Sequence, residues 1–284
     1  MAQSTPPNAT PETLAAHGAQ IPRLGLGTGS LPKECGPLIA HALQVGFRHI
    51  DTAQKYGTEK GVGEGIRASG VPRADIFLTT KVSHEYLRAA DFERTAEGCL
   101  ETLGVDYVDL LLIHWPNPEI PLPGTMQALA RVKNLGLTRH IGVANFNLAL
   151  LDQAIALCPE PLVTLQTEFH PYVYPRKVLE GVLARGMVLT GYCPLGRGRL
   201  LDDPVLGEIA KTRGLTPAQV ALRWSLQKPG VIPIPRSSNS ARIAANFDVF
   251  GFTLTEDEMQ RIDALQRPAG RIANPAGRSP QWDD

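Results

Sequence analysis

The chain's 284 residues, 43% of them hydrophobic, can bury a sizeable core in one large α/β barrel or two modest domains. Lys plus Arg and Asp plus Glu both number 28, so no net field recruits nucleic acid or an anionic membrane. Gly and Pro, at 27 and 24, fall short of a disordered composition, and no apolar run approaches a membrane span.

The opening Met1-Ala2-Gln3-Ser4-Thr5-Pro6-Pro7 lacks the basic and apolar regions of a signal peptide. Cys35, Cys99, Cys158 and Cys193 are scattered without C-x-x-C spacing and read as reduced thiols. The expectation is a cytoplasmic monomer whose partner is a small molecule, with no role for nucleic acid, membrane or metal.

Residues 1–16 are polar and Pro-rich and are expected to form a mobile segment ahead of one domain at 17–284. His17 to Pro22 reads as a turn entering an extended segment, and Leu24-Gly25-Leu26-Gly27-Thr28 as a slim buried strand. Helical stretches then fall near 33–45, 59–69, 90–103, 122–135, 148–157, 175–185 and 217–228. Short apolar strands lie between them near 48–51, 76–80, 108–113, 139–144, 162–166, 187–191 and 231–234. The strands are continuous apolar runs, as expected when both faces are covered. Eight strands alternating with helices predict a closed (β/α)8 TIM barrel, a single domain with a short Gly/Pro-rich C-terminal tail. The one long gap holds an extra helical segment near 203–213, then a capping box at Thr216-Pro217-Ala218-Gln219. A second box, Thr255-Glu256-Asp257-Glu258, follows the last strand.

Three early strands run out into polar groups. Phe47-Arg48-His49-Ile50 ends at Asp51 with Tyr56 in the loop beyond, the strand at 76–80 runs into Lys81, and Val108 to Ile113 runs into His114. In a barrel of this kind the carboxyl ends of the strands open onto one face, where the active site lies. A phenol titrates near pH ~10, so alone it is a poor proton donor at neutral pH. A nearby ammonium stabilises the phenolate and lowers that pKa, and a carboxylate keeps the ammonium charged and aimed. A histidine beside them can orient a carbonyl oxygen. Tyr56, Lys81, Asp51 and His114 thus form a proton-delivery set for carbonyl reduction, with hydride arriving from elsewhere.

Singly, each has an ordinary reading. Asp51 would cap a turn, Tyr56 and Lys81 would be surface residues, and His114 a hydrogen-bonded structural histidine. Their joint placement at strand exits shifts the weight. The later strands also end in polar or planar groups, Asn145, Gln166 and Tyr192, which could hold a carboxamide and stack under a flat heterocycle. Turn formation and rim packing are the ordinary alternatives. After the last strand, Arg236, Ser237 and Arg242 cluster at a helix amino end, with Asn246 beyond, as an anion site. An exposed basic helix start is the ordinary alternative.

Together these segments resemble the aldo-keto reductases. The likeness is carried by Gly46-Phe47-Arg48-His49-Ile50-Asp51-Thr52-Ala53, Tyr56-Gly57, Leu110-Leu111-Leu112-Ile113-His114-Trp115-Pro116 and Gly142-Val143-Ala144-Asn145-Phe146. Glu168-Phe169-His170-Pro171 and Ile232-Pro233-Ile234-Pro235-Arg236-Ser237 extend it, so that it runs from about Ile21 to about Leu265. The short loops and brief tail around Trp282 most resemble the bacterial diketogluconate-reductase-like branch. The resemblance implies an NADPH-dependent oxidoreductase that reduces small carbonyl substrates such as keto-sugar acids, dicarbonyls and aldehydes. It implies Tyr56 as general acid, Lys81 and Asp51 as its tuners and His114 as the group orienting the carbonyl. By the same likeness Asn145 and Gln166 hold the nicotinamide carboxamide and Tyr192 stacks on its ring. Arg236, Ser237 and Arg242 would face the adenosine 2′-phosphate and Asn246 the adenine. Trp115, Gly29 and the tail around Trp282 are expected to shape the substrate pocket.

Four positions depart from that pattern. Ala144 stands for a serine, Leu165 for a common asparagine and Ala245 for an acidic residue, which implies a weaker cofactor grip. Gly29-Ser30 stand where a bulky aromatic often lines the substrate pocket. A Rossmann reading of Gly25-Leu26-Gly27-Thr28-Gly29-Ser30 fails because Ser30 holds the third glycine position. A metal-dependent hydrolase would need more ligands than His49, His114 and His170 supply. The remaining alternative is an NADPH-binding redox sensor or regulatory subunit with little turnover.

Overall fold

The computed structural model describes residues 12–283 and opens on an antiparallel hairpin, β1 (Thr13–Ala16) and β2 (Ala19–Pro22). Thr13–Ala16, the last residues of the segment expected to be mobile at 1–16, are paired strand here. The expected domain boundary at 17 falls within the hairpin turn, and residues 1–11 lie outside the described ones. Alternation of exposed Gln20 with buried Ala19 and Ile21 decides the hairpin's role. Its buried side chains Ala16, Ala19 and Ile21 join Phe77, Leu110, Leu112, Val188 and Ile232 in a cluster of their own, and so plug one end of the barrel.

The predicted alternation follows. In order come β3 (Leu26–Gly27), α1 (Gly36–Val45), β4 (His49–Asp51), α2 (Glu59–Ser69), β5 (Phe77–Val82), α3 (Ala89–Leu103) and β6 (Val108–Ile113). Then come α4 (Leu122–Asn134), β7 (Thr138–Ala144), α5 (Leu148–Leu157), β8 (Leu162–Glu168), α6 (Arg176–Ala184) and β9 (Val188–Tyr192). The chain ends with α7 (Pro204–Arg213), α8 (Pro217–Gln227), β10 (Val231–Pro233), α9 (Ser240–Phe247) and α10 (Glu256–Asp263).

Strands β3 to β10 form one eight-stranded parallel sheet in sequence order. Its two edges meet, because Gly25 N–H donates to Pro233 O over 3.1 Å and Gly27 N–H to Pro235 O over 2.9 Å. A Cβ on Gly27 would stand 2.9 Å from Ile234 O, so a glycine is what lets the seam close. Both faces of the strands are covered, one by the interior cluster and one by the helices, which accounts for the unbroken apolar runs. His49 lies wholly inside its strand region, bonded to Thr79 Oγ1 at 3.1 Å, and burial lowers its pKa to about 4.

Both expected capping boxes are present, Thr216 with Gln219 at the start of α8 and Thr255 with Glu258 at the start of α10. The extra helix α7 is held to α10 by the bidentate Arg213–Glu258 pair and by Arg261–Glu208. No helix among the described residues is long and apolar enough to cross a membrane.

Candidate active site

The carboxyl ends of the strands and the loops beyond them surround a cleft of about 1090 Å³. Asp51, Tyr56, His114, Trp115, Asn145, Gln166, Tyr192, Arg236, Ser237, Arg242 and Asn246 all line it, so the structure brings together the residues singled out from the sequence. Lys81 sits beneath them, fully buried. It belongs to β5 itself, which continues past the expected end at 80.

Asp51 is the last residue of β4, and Lys81 points across to it from the neighbouring strand. The Lys81 ammonium donates to Asp51 Oδ1 at 2.5 Å and to Thr52 O at 2.8 Å. Gln166 Nε2 donates to the other carboxylate oxygen at 2.8 Å. A buried charge is tolerated when it is paired and hydrogen-bonded, and these contacts meet that requirement. Burial alone would push the ammonium's pKa down. Asp51 and then Tyr56 outweigh burial, so Lys81 titrates above its ordinary value.

Tyr56 ends a single 3-10 turn, Gln54–Tyr56, closed by Gly57 in the left-handed region at φ 68°. The ring is half-buried at the floor of the cleft, with the Lys81 ammonium 5.2 Å from its centre. Its hydroxyl lies 3.4 Å from His114 Nε2, and the two rings meet nearly edge-on at 81°. The expected lowering of the phenol pKa is not the net result. Burial raises it and outweighs the opposing pull of Lys81, so the phenol stays protonated at neutral pH. Sequence shows which charge stands nearby but not how much water is excluded. His114 is held well below the usual imidazole range by burial, then by Lys81 and Arg278, so it is neutral.

The two amides are hydrogen-bonded within the protein. Asn145 adopts φ 63°, a left-handed turn that asparagine tolerates, directly after β7. Its Nδ2 donates to His114 O at 2.8 Å and its Oδ1 accepts from the Tyr192 hydroxyl at 2.7 Å. Asn145 and Gln166 are therefore already bonded within the protein, and Gln166 ties one end of the cleft to Asp51.

At the other end, Asn239 caps α9 by accepting from Arg242 N–H at 3.0 Å. Ser237 Oγ accepts from Asn239 N–H at 3.1 Å and from Arg242 Nε at 3.3 Å, which fixes the guanidinium over the helix start. Arg236 is exposed to the cleft and Asn246 is buried against it. Neither Arg236 nor Arg242 has a carboxylate partner among the described residues. Of the departures noted in the sequence, Ala245, Gly29 and Ser30 line the cleft, whereas Leu165 is buried in the layer facing the helices.

Several lining residues were given no site role in the sequence: Lys55, His84, Arg197, and Cys193, read there only as a reduced thiol; of the tail, expected around Trp282 to shape the pocket, residues 272–275 and Arg278 line the cleft. Arg278 reaches His84 Nε2 at 3.1 Å and lies 5.7 Å from the Trp115 ring centre. Trp115 in turn meets Trp282 edge-on at 6.2 Å. A tail rich in Gly and Pro carries no periodicity to reveal such contacts. No group of three or more His, Cys, Asp or Glu side chains among the described residues could hold a metal ion.

A parallel barrel with a buried Lys–Asp pair under a tyrosine and a neutral histidine defines an oxidoreductase-type cleft. Residues 23–267 match the Aldo/keto reductase family, and the chain belongs to that family. It is 39% identical over 267 residues to the methylglyoxal reductase DkgB of Escherichia coli O157:H7, covering 93% of this chain and 99% of that one. A crystal structure provisionally named 2,5-diketo-D-gluconic acid reductase B superposes with a TM-score of 0.94 at 44% identity, covering 96% and 98%. The Bombyx mori aldo-keto reductase in complex with NADP superposes with a TM-score of 0.84 at 32% identity, covering 91% and 94%. Aldo-keto reductases work with a nicotinamide cofactor, and carbonyl reduction fits this chain.

Proposed function

We propose that this chain uses NADPH to reduce the aldehyde or ketone group of small aldehydes, dicarbonyls and keto-sugar acids to an alcohol. The observation that carries the reading is the stack of Asp51, Lys81, Tyr56 and His114 at the cleft floor. The residues fit an extended dinucleotide, since the cleft runs from Tyr56 to Arg236 and Arg242, whose charges no carboxylate among the described residues takes up. Asn145, Gln166 and Tyr192 would hold the nicotinamide end, Arg236, Ser237 and Arg242 the 2′-phosphate, and Asn246 the adenine. A reduced nicotinamide supplies the hydride.

The chain supplies the proton and the orientation. As negative charge builds on the carbonyl oxygen, Tyr56 transfers its hydroxyl proton to it. The Lys81 ammonium stabilises the phenolate left behind, and Asp51 keeps that ammonium charged and in place. His114, neutral, donates an N–H to the same oxygen and adds no charge that would compete with Lys81. Trp115, buried against Arg278 and Trp282, walls the cleft beside His114. Gly29 leaves the far side of Tyr56 open, because a side chain there would stand 3.4 Å from the phenol ring. Arg278 has no carboxylate partner among the described residues and stands near His114, which suits a carbonyl compound carrying an acid group.

The four thiols are unpaired, which fits a reducing cytoplasm. The test follows NADPH absorbance across a panel of aldehydes, dicarbonyls and keto-sugar acids, with Tyr56→Phe as the control. Turnover is expected with the parent protein and not with Tyr56→Phe, which should still bind NADPH. Tight NADPH binding without oxidation by any panel member would favour a sensor instead.

A further inference from the structure

The motif Glu168-Phe169-His170-Pro171 takes no part in proton delivery, yet its carboxylate is wholly buried. Glu168 is the final residue of β8, two positions beyond the strand end expected at Gln166. Its Oε1 accepts from Ile272 N–H at 2.8 Å and lies 2.9 Å from His170 Nε2, while Oε2 accepts from Ala273 N–H at 2.7 Å. Burial pushes the carboxyl pKa up, but His170 and the two backbone donors together outweigh it, and the group remains a carboxylate. Just before those donors the tail passes so close to the loop after β8 that a Cβ on Gly270 would meet Tyr172 O at 2.0 Å. The far end is fastened too, with Asn147 Nδ2 donating to Gln281 O at 2.9 Å and Leu148 N–H to Asp283 Oδ2 at 2.7 Å. Between the two fastenings lie Asn274, Pro275 and Arg278, which wall the cleft.

We propose that Glu168 is a positioning residue that clamps the C-terminal tail, through Ile272 and Ala273, as the outer wall of the substrate pocket. The proposal rests on the reading that the cleft takes a carbonyl substrate. Hydrogen bonds to a charged acceptor are the strong kind, and this carboxylate makes two to a segment with little helix or strand of its own. Loss of the clamp frees the wall, not the proton relay, so it acts on substrate binding.

The experiment uses Glu168→Gln, Ala273→Pro and the double variant in the full chain. In Glu168→Gln, hydrogen exchange at the Ile272 and Ala273 amides should rise about 10- to 100-fold, and KM for a bulky aldehyde by a similar factor. Trypsin cleavage at Arg271 and Arg278 should quicken, with kcat and NADPH affinity held. Ala273→Pro removes one donor without touching the barrel and should raise the same KM, and adding Glu168→Gln to it should cost less than in the parent. Unchanged exchange and proteolysis, fully additive effects, or a parallel loss of kcat and NADPH affinity would each overturn the clamp. Should Glu168→Gln fail to fold, Ala273→Pro decides by the same readouts. Absence of turnover in the parent would sink the reductase reading, while exchange and proteolysis would still decide the clamp.

Discussion

Lys81 Nζ and Asp51 Oδ1 stand 2.5 Å apart, the lysine side chain at 0% exposure and the aspartate at 2%. Removing one member of a buried pair strands the other charge, which costs roughly 3–5 kcal/mol, whereas replacing both with apolar groups is often neutral. Lys81→Met should therefore lower unfolding free energy by about that amount. Lys81→Met combined with Asp51→Leu should recover most of it while turnover stays lost. Urea unfolding read alongside NADPH oxidation checks both halves. Recovery of activity in the double variant would show that the pair only holds the barrel together.

The pKa directions set the pH profile. If Tyr56 is the proton donor, reduction needs it protonated, and burial places the phenol above its ordinary value of 10.0, so the reductive rate should hold through neutrality and fall only above about pH 10. His114 lies well below 6.5 and stays neutral, so no loss from its protonation is expected between about pH 7 and pH 6. On the same reading the reverse reaction uses the phenolate and should rise with pH over the same upper range. Measuring kcat/KM in both directions tests this. A descending reductive limb near neutrality would mean that Lys81 outweighs burial in the working complex.

These expectations divide along what a sequence displays. The apolar runs, the two capping boxes and the polar residues at strand exits depend on local pattern, and each was legible. The charge on Lys81 was legible as well, because its pairing follows from neighbouring strands. What escaped was set by long-range packing. Thr13–Ala16 pairs with Ala19–Pro22 because Ile21 has a barrel end to fill. Glu168 ends a strand whose length depends on its neighbours, and its two donors come from more than a hundred positions away. The net direction of the Tyr56 pKa reflects excluded water, which no single residue announces.

At the basic end of the cleft, Ser237 holds Arg242 over the start of α9. If that guanidinium meets the 2′-phosphate, Arg242→Ala removes one charged hydrogen bond, worth roughly 1.5–3 kcal/mol of NADPH affinity. NADH lacks that phosphate and should bind nearly as before. Fluorescence titration with both cofactors is the check, and an equal loss for the two would place Arg242 away from the phosphate.

Arg278 offers the substrate-side counterpart. Its guanidinium contacts His84 Nε2 and has no carboxylate partner among the described residues, while the nearby Lys55 is already paired with Glu85. A carboxylate on the substrate would give Arg278 the bidentate partner that its fork of donors fits. Arg278→Met should lower kcat/KM for succinic semialdehyde by about 10- to 100-fold, equivalent to roughly 1.5–3 kcal/mol. The methyl ester of the same aldehyde carries no charge and should lose far less. Comparing acid and ester in parent and variant isolates the charge from the shape of the pocket. Equal losses for both would assign Arg278 to packing against Trp115, not to recognition of an anion.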